Sequence, residues 1–527
     1  MFIYRNHTVE HLFKKFNATY SGYGDISKTP NIIKDEFIIW FYELTWNSNF
    51  NELLNEIEDF ELKISLLFEN YSEDKSVVIF FPDISFLKTN ILSDSKLEKS
   101  LINLKNTIIR LADSNSRIKF LDLNYFTRNY SKKELIDWKF YYVSDMIINP
   151  KLGSDFSLWF TNRINSIKSL RKKCLVLDCD NTLWGGVVGE DGLSGIKIGN
   201  TYPGNVFRDF QSSIIELHNQ GVILALCSKN NFDDVKEVFD DHPNMLLKMN
   251  HITCHKINWK NKAENIYEIS KELNIGLDSI VFIDDNPSER GIVKEKLETV
   301  EVPEFPESPY LIKSFFDNVI ESFFQLYKLT NEDKVKTKQY SDNKKRGDLK
   351  SNFSNIDDYL SSLNIVLEVK MADKFSIPRV SQMTQKTNQF NLTSFRYSEE
   401  DIILMLKLKS LVFVLSMQDK FGDSGITGLI ILKKERDYLI VDTFLMSCRV
   451  LGRGIEIAFL KHVFNQLKEK GIKMVKAKYI ISSKNKQTEN FYNDFGFVET
   501  TKHGDGSKDY SIEIKSKFEI KNFYEIN

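Results

Sequence analysis

The sequence predicts a multidomain α/β protein with a buried parallel sheet in its middle third. At 527 residues the chain is too long for one hydrophobic core. Three apolar segments occur at wide spacing in the middle: Cys174–Leu177, Val222–Leu226 and Ile280–Ile283. Helical patterns separate them, which indicates right-handed crossovers and a sheet covered on both faces.

The first part of the chain, residues 1–168, is predicted to be a separate α/β domain. It mixes helical patterns with short strands such as Val77–Phe81 and Ile118–Leu121. Its histidines, His7 and His11, both lie at the extreme start, and it contains no cysteine. These residues give little basis for a Ser-His-Asp hydrolase site, and we expect a scaffold or docking role.

The remaining boundaries follow changes in composition. Residues 169–328 hold the three apolar segments and form the second predicted domain. Residues 329–362 are rich in Lys, Asp, Asn and Ser; they are interpreted as a linker, although a solvated helical face explains them equally well. Residues 363–527 show strands and helices in an order that predicts a mixed α+β domain.

The overall composition argues against several classes of protein. A net charge of −2 does not fit a nucleic-acid binder. No apolar run approaches the ~18 residues of a membrane helix, and charge interrupts the N-terminus too early for a signal peptide. The five cysteines form no CxxC pair, so we expect neither a disulfide framework nor a zinc cluster, and a cytoplasmic location.

Polar side chains follow each of the three apolar segments. Asp178 and Asp180 follow the first, Ser228 the second, and Asp284 and Asp285 the third. Ligand sites of open parallel sheets lie beyond the carboxyl ends of the strands, so these groups should converge.

These residue types suit magnesium-dependent phosphoryl transfer. Asp178 is the natural nucleophile, because a carboxylate can form an aspartyl-phosphate and split one displacement into two. Asp180 can protonate the leaving oxygen and later deprotonate water. Asp178 and Asp284 are hard oxygen ligands for Mg²⁺, while Lys262 and Ser228 would hold the phosphoryl oxygens. Each piece alone is weak, but their joint order along the chain is specific.

The spacing of the motifs limits what can cover this site. Ser228 lies 50 residues after Asp178, and Asp284 lies 56 residues after Ser228. Neither gap holds a large cap domain, so the stretch Gly185–Gly195 is predicted to form only a small flap.

The order of these motifs resembles that of the haloacid dehalogenase (HAD) superfamily, and longer strings resemble its FkbH-like subfamily IIIC. The strings are Leu177–Gly192 (LDCDNTLWGGVVGEDG), Cys227–Asn231 (CSKNN), Asn258–Ile266 (NWKNKAENI) and Phe282–Arg290 (FIDDNPSER). The resemblance implies the catalytic roles given above. It also implies a metal group drawn from Asp178, Asp180, Asp284 and Asp285, the last acting through water.

A second constellation lies in the C-terminal part. Strand Leu439–Met446 leads into a turn at a helix N-terminus that would present backbone N–H groups to a pyrophosphate. The candidate residues for binding pantetheine or coenzyme A are Arg449, Gly452, Arg453, Gly454 and, further on, Asn485.

This combination resembles the GNAT acyltransferase fold, in which the tyrosine at the position of Tyr492 protonates the departing thiolate. FkbH-like proteins carry such a domain after the HAD domain, and Thr384–Asn391 and Ser447–Gly454 are similar to theirs. The resemblance covers roughly residues 170–505. It gives residues 1–168 the position of the family's SGNH-hydrolase-like region.

Cys448 has two interpretations. A free cysteine at a strand end often packs as a small hydrophobe. Alternatively, Cys448 carries an acyl thioester, since Arg449 and a helix N-terminus beside it would lower its pKa. Cys227, next to Ser228, is a competing carrier.

The resemblance implies an enzyme that loads a glyceryl-like unit from 1,3-bisphosphoglycerate onto an acyl carrier protein, with Mg²⁺ and a pantetheine thiol as cofactors. Two alternatives remain open. One is a phosphatase joined to an acetyl-CoA-dependent N-acetyltransferase serving glycan assembly, which would turn over labelled acetyl-CoA. The other is a non-catalytic assembly protein, against which the intact Asp178, Asp180 and Asp284 set argues.

Overall fold

A computed structural model describes the chain except residues 28–36, 46–49, 70–75, 85–94, 116, 351, 436–437 and 483. The described residues form two compact units, Met1–Ile167 and Lys168–Asn527.

The strands are numbered in chain order. They are β1 Phe2–Arg5, β2 Thr19–Tyr23, β3 Phe37–Phe41, β4 Ser76–Phe81, β5 Ile118–Asp122, β6 Cys174–Leu177, β7 Ile223–Ser228, β8 Ile252–Ile257, β9 Ile280–Ile283, β10 Ile365–Met371, β11 Leu411–Asp419, β12 Gly422–Lys434, β13 Leu439–Met446, β14 Met474–Tyr479, β15 Val498–Lys502, β16 Lys508–Glu513 and β17 Tyr524–Ile526.

The α-helices are numbered in the same way. They are α1 Phe50–Glu69, α2 Ser95–Ser114, α3 Asn124–Thr127, α4 Lys132–Leu135, α5 Trp138–Ser144, α6 Gly153–Ile167, α7 Val188–Gly195, α8 Gly204–Asn219, α9 Phe232–Asp241, α10 Lys262–Glu272, α11 Pro287–Lys296, α12 Ile312–Val319, α13 Asn331–Lys350, α14 Ile356–Ser362, α15 Ile377–Lys386, α16 Glu399–Lys407, α17 Ile455–Glu469 and α18 Phe491–Phe495.

The first unit is built on a parallel sheet of order β2-β1-β3-β4-β5. Strands β3 and β4 are almost entirely apolar and buried, as expected for central strands covered on both faces. Helices α1 and α2 pack against each other, with core residues such as Leu54 and Leu104. The predicted α/β character of this part is confirmed.

The middle of the chain forms a second parallel sheet, of order β8-β7-β6-β9. Strand β6 lies at its centre, with Leu177 in register with Leu226 on one side and Ile283 on the other. All side chains of β6, β7 and β9 are buried. The apolar runs of the sequence therefore correspond to strands, and their last residues lie side by side.

The C-terminal part forms a mixed sheet of order β15-β16-β14-β13-β12-β11-β10-β17. Strand β13 pairs in parallel with β14 only over Leu439–Val441, and the two strands separate beyond that point. Helix α17 packs its apolar residues into the core of this sheet. The predicted α+β character is confirmed; strand β17, which pairs with β10, is not anticipated by the sequence.

Residues 329–362, interpreted as a linker, contain helices α13 and α14. Helix α13 contacts α8 and β8 on one side and β12 on the other. Its buried polar residues include Asp333, Gln339 and Arg346. Much of this segment is therefore helical, in agreement with the alternative interpretation, and α13 is held by polar side chains and ion pairs, which give no hydrophobic periodicity in the sequence.

One ion pair anchors α13 to the C-terminal sheet. Arg346 donates from Nε and Nη2 to the two carboxylate oxygens of Asp419, both at 2.7 Å, and the two side chains are 4% and 0% exposed. Arg346→Gln should lower the free energy of unfolding by about 3–5 kcal/mol, because it leaves a buried carboxylate without its main partner. Urea denaturation measures the change.

Lys345→Gln is the matched control, since that lysine is 61% exposed and its contact with Asp342 should contribute at most about 1 kcal/mol. Equal denaturation midpoints for the two variants would show that α13 is not held in this way.

Candidate active site

The carboxylates predicted to converge do so at the carboxyl edge of the middle sheet. Asp178 follows β6 and is buried, and Asp284 and Asp285 follow β9, with Asp284 fully buried. One carboxylate oxygen from each lies within 4.8 Å of the others. Ser228, the last residue of the neighbouring strand β7, is also buried.

Lys262 neutralises part of this charge. It is the first residue of α10, and its side chain is only 4% exposed. Its Nζ lies 3.0 Å from Oδ1 of Asp178 and 2.6 Å from Oδ2 of Asp284. Burial acts to lower the pKa of Lys262, but the two carboxylates outweigh it and hold the pKa above its usual value. The lysine therefore stays charged and fixes the orientation of Asp178.

The donor set fits a divalent cation. Burial, followed by the negative charge of Asp178, raises the pKa of Asp284 and of Asp285 to about 6. The raised pKa values reflect the free-energy cost of placing three carboxylates beside one ammonium group. A small hard cation with oxygen ligands would offset this cost, and Mg²⁺ needs only a few protein ligands because it keeps several waters.

The side chain of Asp180 is not among these three converging carboxylates, and its predicted place in the metal group stays a prediction. Its Oδ1 accepts hydrogen bonds from Trp184 Nε1 at 2.9 Å and Val188 N at 3.0 Å. Its Oδ2 accepts one from Asn230 Nδ2 at 2.7 Å. Burial is the main cause that raises the pKa of Asp180.

The stretch after β6 forms the expected small flap. Gly185 and Lys197 pair through two backbone hydrogen bonds, with the short helix α7 between them. Gly186 begins this flap at a φ of +98°, and a Cβ there would lie 2.5 Å from Asp191 Oδ2. The flap positions Asp180 through Trp184 and Val188, a function that its sequence pattern did not reveal.

Two further residues support the site and were missed by reasoning from the sequence. Arg290 Nη1 donates to the carbonyl oxygens of Asp284 and Asp285 at 2.9 and 2.6 Å. Thr182 Oγ1 accepts a hydrogen bond from the backbone N–H of Asp285. Both residues lie within the motif strings after β6 and β9. The length of those strings was therefore the sequence signal that could have identified them.

The predicted pyrophosphate turn lies at the N-terminus of α17, and two of its arginines donate to side chains of α13. Arg449 donates to Ser447 Oγ at 3.1 Å and to Gln339 Oε1. Arg453 Nη2 donates to Asn343 Oδ1 at 2.8 Å.

Gly452 and Gly454 take the positive φ values of +79° and +69°. With Arg449 and Arg453, Gly452 lines a cavity of about 190 Å³ whose walls include Arg346 of α13.

A segment of the chain itself occupies the gap where β13 and β14 separate. Leu392 N donates to Phe444 O and Met446 N donates to Phe390 O, so this segment pairs with β13. Asn485, predicted to bind a cofactor, is fully buried and donates to Asn391 O and Ile480 O, both at 2.9 Å. Both amide donors of Asn485 are thus used to hold the segment, and its cofactor-binding role stays a prediction.

Tyr492, predicted to be the general acid, lies in the core of the C-terminal sheet. It is 1% exposed and packs against Phe497 and Tyr510, with ring centroids 4.8 and 5.3 Å away. Burial raises the pKa of Tyr492 above its usual value. Tyr492 is not in the lining of either cavity of about 190 or 670 Å³, and its role as a general acid stays a prediction.

The structure distinguishes between the two candidate acyl carriers, Cys227 and Cys448. Cys227 is fully buried, its Sγ donates to Lys262 O, and burial raises the pKa of its thiol. Such a thiol is a poor nucleophile. Cys448 begins a short 3₁₀ turn after β13, and its side chain lies outside the described part of the structure.

The first unit carries buried polar residues at the carboxyl edge of its sheet. Glu43 Oε2 accepts a hydrogen bond from Asp83 N, and burial with the charge of Asp83 raises the pKa of Glu43. Burial, then His11, lowers the pKa of His7 to about 3. The SGNH-like assignment and the non-catalytic role of this unit stay predictions.

Comparison with solved structures supports the phosphatase interpretation of the middle domain. No family model matches the sequence, and neither does any curated protein. The N-terminal part of protein BF1531 from Bacteroides fragilis, which contains a phosphatase domain and was crystallised with Mg, is 27% identical. The match covers 62% of this chain and 94% of that one, at a TM-score of 0.52.

Shorter acetyltransferases match the chain more weakly. The ribosomal-protein-S18-alanine N-acetyltransferase from Escherichia coli is 16% identical over 29% of this chain and 97% of its own, at a TM-score of 0.24. An N-acetyltransferase from Staphylococcus aureus Mu50 is 13% identical over 28% and 99%, at 0.22. These scores are too low to carry an argument about chemistry.

The BF1531 neighbour thus contains a domain of the phosphatase class that the sequence predicts for the middle of this chain. The predicted fold class is confirmed for the middle and C-terminal parts.

Among the described residues, no helix is both long and apolar enough to span a bilayer.

Proposed function

We propose that this chain is an FkbH-like enzyme that removes phosphate from an activated three-carbon acyl group and transfers the acyl unit to an acyl carrier protein. The observation that carries the phosphatase half is the buried cluster of Asp178, Asp284, Asp285 and Lys262. The acyl-transfer half is supported by the motif strings and by the fusion of an α+β domain to the phosphatase domain.

The phosphatase reaction proceeds in two displacements. An oxygen of Asp178 attacks phosphorus, the bond to the ester oxygen breaks, and Asp180 gives its proton to that oxygen. Asp180 then takes a proton from water, whose oxygen attacks the aspartyl-phosphate and releases inorganic phosphate. Lys262 and Ser228 hold the phosphoryl oxygens, and the hydrogen bonds from Trp184 and Asn230 keep Asp180 in position.

Asp178, Asp284 and Asp285 would hold the metal ion. When bound, Mg²⁺ would neutralise charge on the transferring phosphoryl group. Lys262 adds positive charge beside the attacking carboxylate, because its ammonium group lies 3.0 Å from Oδ1 of Asp178.

The acyl group follows a separate course. The thiolate of Cys448 attacks the carbonyl carbon of the acyl phosphate; a C–S bond forms, and the C–O bond to the departing phosphate breaks. The phosphatase site hydrolyses the second phosphate of the substrate. The phosphopantetheine thiol of the carrier protein then attacks the thioester and releases Cys448. We favour Cys448 over Cys227 because burial raises the thiol pKa of Cys227.

Intact-protein mass spectrometry after incubation with 1,3-bisphosphoglycerate and Mg²⁺ tests this proposal. We expect a glyceryl adduct on the parent chain that hydroxylamine removes, since hydroxylamine cleaves thioesters. Cys448→Ala should not acquire this adduct but should still hydrolyse a simple phosphate ester at the parent rate.

Cys254→Ala is the matched control, because Cys254 is buried in the core of the middle domain. If Cys448→Ala gains the same hydroxylamine-labile adduct as the parent, Cys448 is not the carrier. Direct transfer to the carrier thiol would then be the better mechanism.

A further inference from the structure

A large polar crevice lies between the middle sheet and the C-terminal domain, away from the phosphatase site. Its volume is about 670 Å³, in the range of small-molecule sites. One wall is formed by the chain before β6 and before β9, including Arg171, Lys173 and Asp278. The other is formed by α15 and the loop after it, including Lys386 and Asn388.

This crevice is distinct from the phosphatase site because it lies at the opposite edge of the same sheet. Lys173 precedes β6 and Asp178 follows it. At 3.3 Å per residue, the strand separates the two edges by about 16 Å.

The crevice carries an excess of positive charge. Seven basic and two acidic side chains line it within the described part of the chain. Its floor holds Asp333, whose Oδ1 is 3.1 Å from Arg171 Nη2 and 3.8 Å from Lys386 Nζ. One buried carboxylate thus serves two cations, and Lys173 adds positive charge to the lining, while Lys484 pairs with Asp278. Such a surface attracts anions.

Arg171 provides the second, independent observation. Its side chain is 3% exposed, and Nη2 is fully used by Gln220 O at 2.8 Å and Asp333. Its other terminal nitrogen, Nη1, is buried and has no hydrogen-bond partner among the described residues. A buried charged donor without a partner is costly, and Arg171 lines the crevice, so a small shift of its guanidinium group on binding would bring Nη1 to a ligand oxygen.

The rest of the lining limits the ligand further. Amide side chains, among them Gln382, Gln385 and Asn388, provide donors and acceptors along the crevice, and Leu277 and Met383 add apolar contacts. A ligand that fills 670 Å³ and meets this lining carries an anionic group together with hydroxyl or amide groups.

We propose that this crevice binds the phosphate monoester of a substrate of the C-terminal domain, with Arg171 of the phosphatase domain as its principal contact. The phosphatase domain then contributes residues to two sites at opposite edges of its sheet. The proposal rests on the proposed function only in assigning the ligand to the acyl-transfer step. Two substrates share this chemistry: a phosphorylated hydroxy acid and the phosphopantetheine arm.

Titration calorimetry on the full chain in EDTA tests the site, with 3-phosphoglycerate, pantetheine 4′-phosphate and unphosphorylated pantetheine as probes. We expect at least one phosphate ester to bind the parent, and Lys173→Glu and Arg171→Gln to weaken it tenfold or more. If pantetheine 4′-phosphate binds and unphosphorylated pantetheine binds more weakly, the ligand is the phosphopantetheine arm. If only 3-phosphoglycerate binds, the ligand is the phosphorylated hydroxy acid.

Two controls make the result decisive. Lys502→Glu reverses an exposed charge on β15, outside the crevice, and should leave affinity unchanged. Asp178→Asn should also leave it unchanged, because it alters only the phosphatase site. Hydrolysis of p-nitrophenyl phosphate with Mg²⁺ should be normal in Arg171→Gln and Lys173→Glu, which separates this proposal from the phosphatase assignment.

The proposal is overturned if neither phosphate ester binds the parent, if both crevice variants bind as tightly as the parent, or if Asp178→Asn alone abolishes binding. Lys173→Glu keeps the test valid should Arg171→Gln fail to fold, since Lys173 is partly exposed at the rim.

Discussion

Asp178→Asn should lower the rate of phosphate release by on the order of 10³-fold or more, while the protein keeps its fold. The amide has nearly the same shape as the carboxylate and can still accept a hydrogen bond from Lys262, which lies 3.0 Å from Oδ1. It cannot attack phosphorus, because an amide oxygen is a far weaker nucleophile than a carboxylate. Steady-state hydrolysis of p-nitrophenyl phosphate with Mg²⁺ measures the change.

Two comparisons strengthen this test. Asp180→Asn should also be slow, but for a different reason, since it removes the proton donor and keeps the attacking group. Because p-nitrophenolate leaves without needing a proton, Asp180→Asn should slow the first displacement of this substrate less than Asp178→Asn does. Hydrolysis near the parent rate in a clean Asp178→Asn preparation would rule out an aspartyl-phosphate.

Lys262→Met should lower the free energy of unfolding by about 3–5 kcal/mol at neutral pH in EDTA. The substitution nearly preserves volume but removes the only ammonium group within 3.0 Å of both Asp178 and Asp284 in the described structure. Two buried carboxylates would then lack their shared partner. Urea denaturation in EDTA measures the loss.

Mg²⁺ should restore part of that stability, because a cation bound by the same carboxylates stabilises only the folded state. Lys229→Met is the matched control: its pair with Glu289 spans 2.7 Å, but the lysine is 37% exposed, so the loss should be at most about 1 kcal/mol. Equal stability of Lys262→Met and the parent in EDTA would contradict the arrangement of charges described above.

The sequence predicts the phosphatase site well because its signals are local. Strands β6, β7 and β9 are continuous apolar runs. In each case the candidate functional residue is the last residue of the strand or directly follows it. Parallel pairing brings the ends of such strands together whatever the loops do. The convergence of Asp178, Ser228 and Asp284 could therefore be predicted from the sequence, whereas Lys262, at the start of α10, was predicted from the order of the motifs.

The surroundings of the C-terminal candidate residues could not be predicted from the sequence. Asn485 and Tyr492 fit a motif by position, yet one holds the segment between β13 and β14 and the other packs in an aromatic core. A motif gives the order of residue types along the chain, but not which side chains the rest of the chain covers.

What the sequence alone determined is the position of the strands of the middle sheet and the acidic groups at their ends, since both depend on neighbouring residues. Tertiary structure alone decided the partners of Asp180, the burial of α13 and the crevice at Arg171. Arg171 meets Asp333 across 162 residues, and Arg346 meets Asp419 across 73. Charged side chains at such separations carry no periodic signal, so only the packing of the folded chain selects their partners.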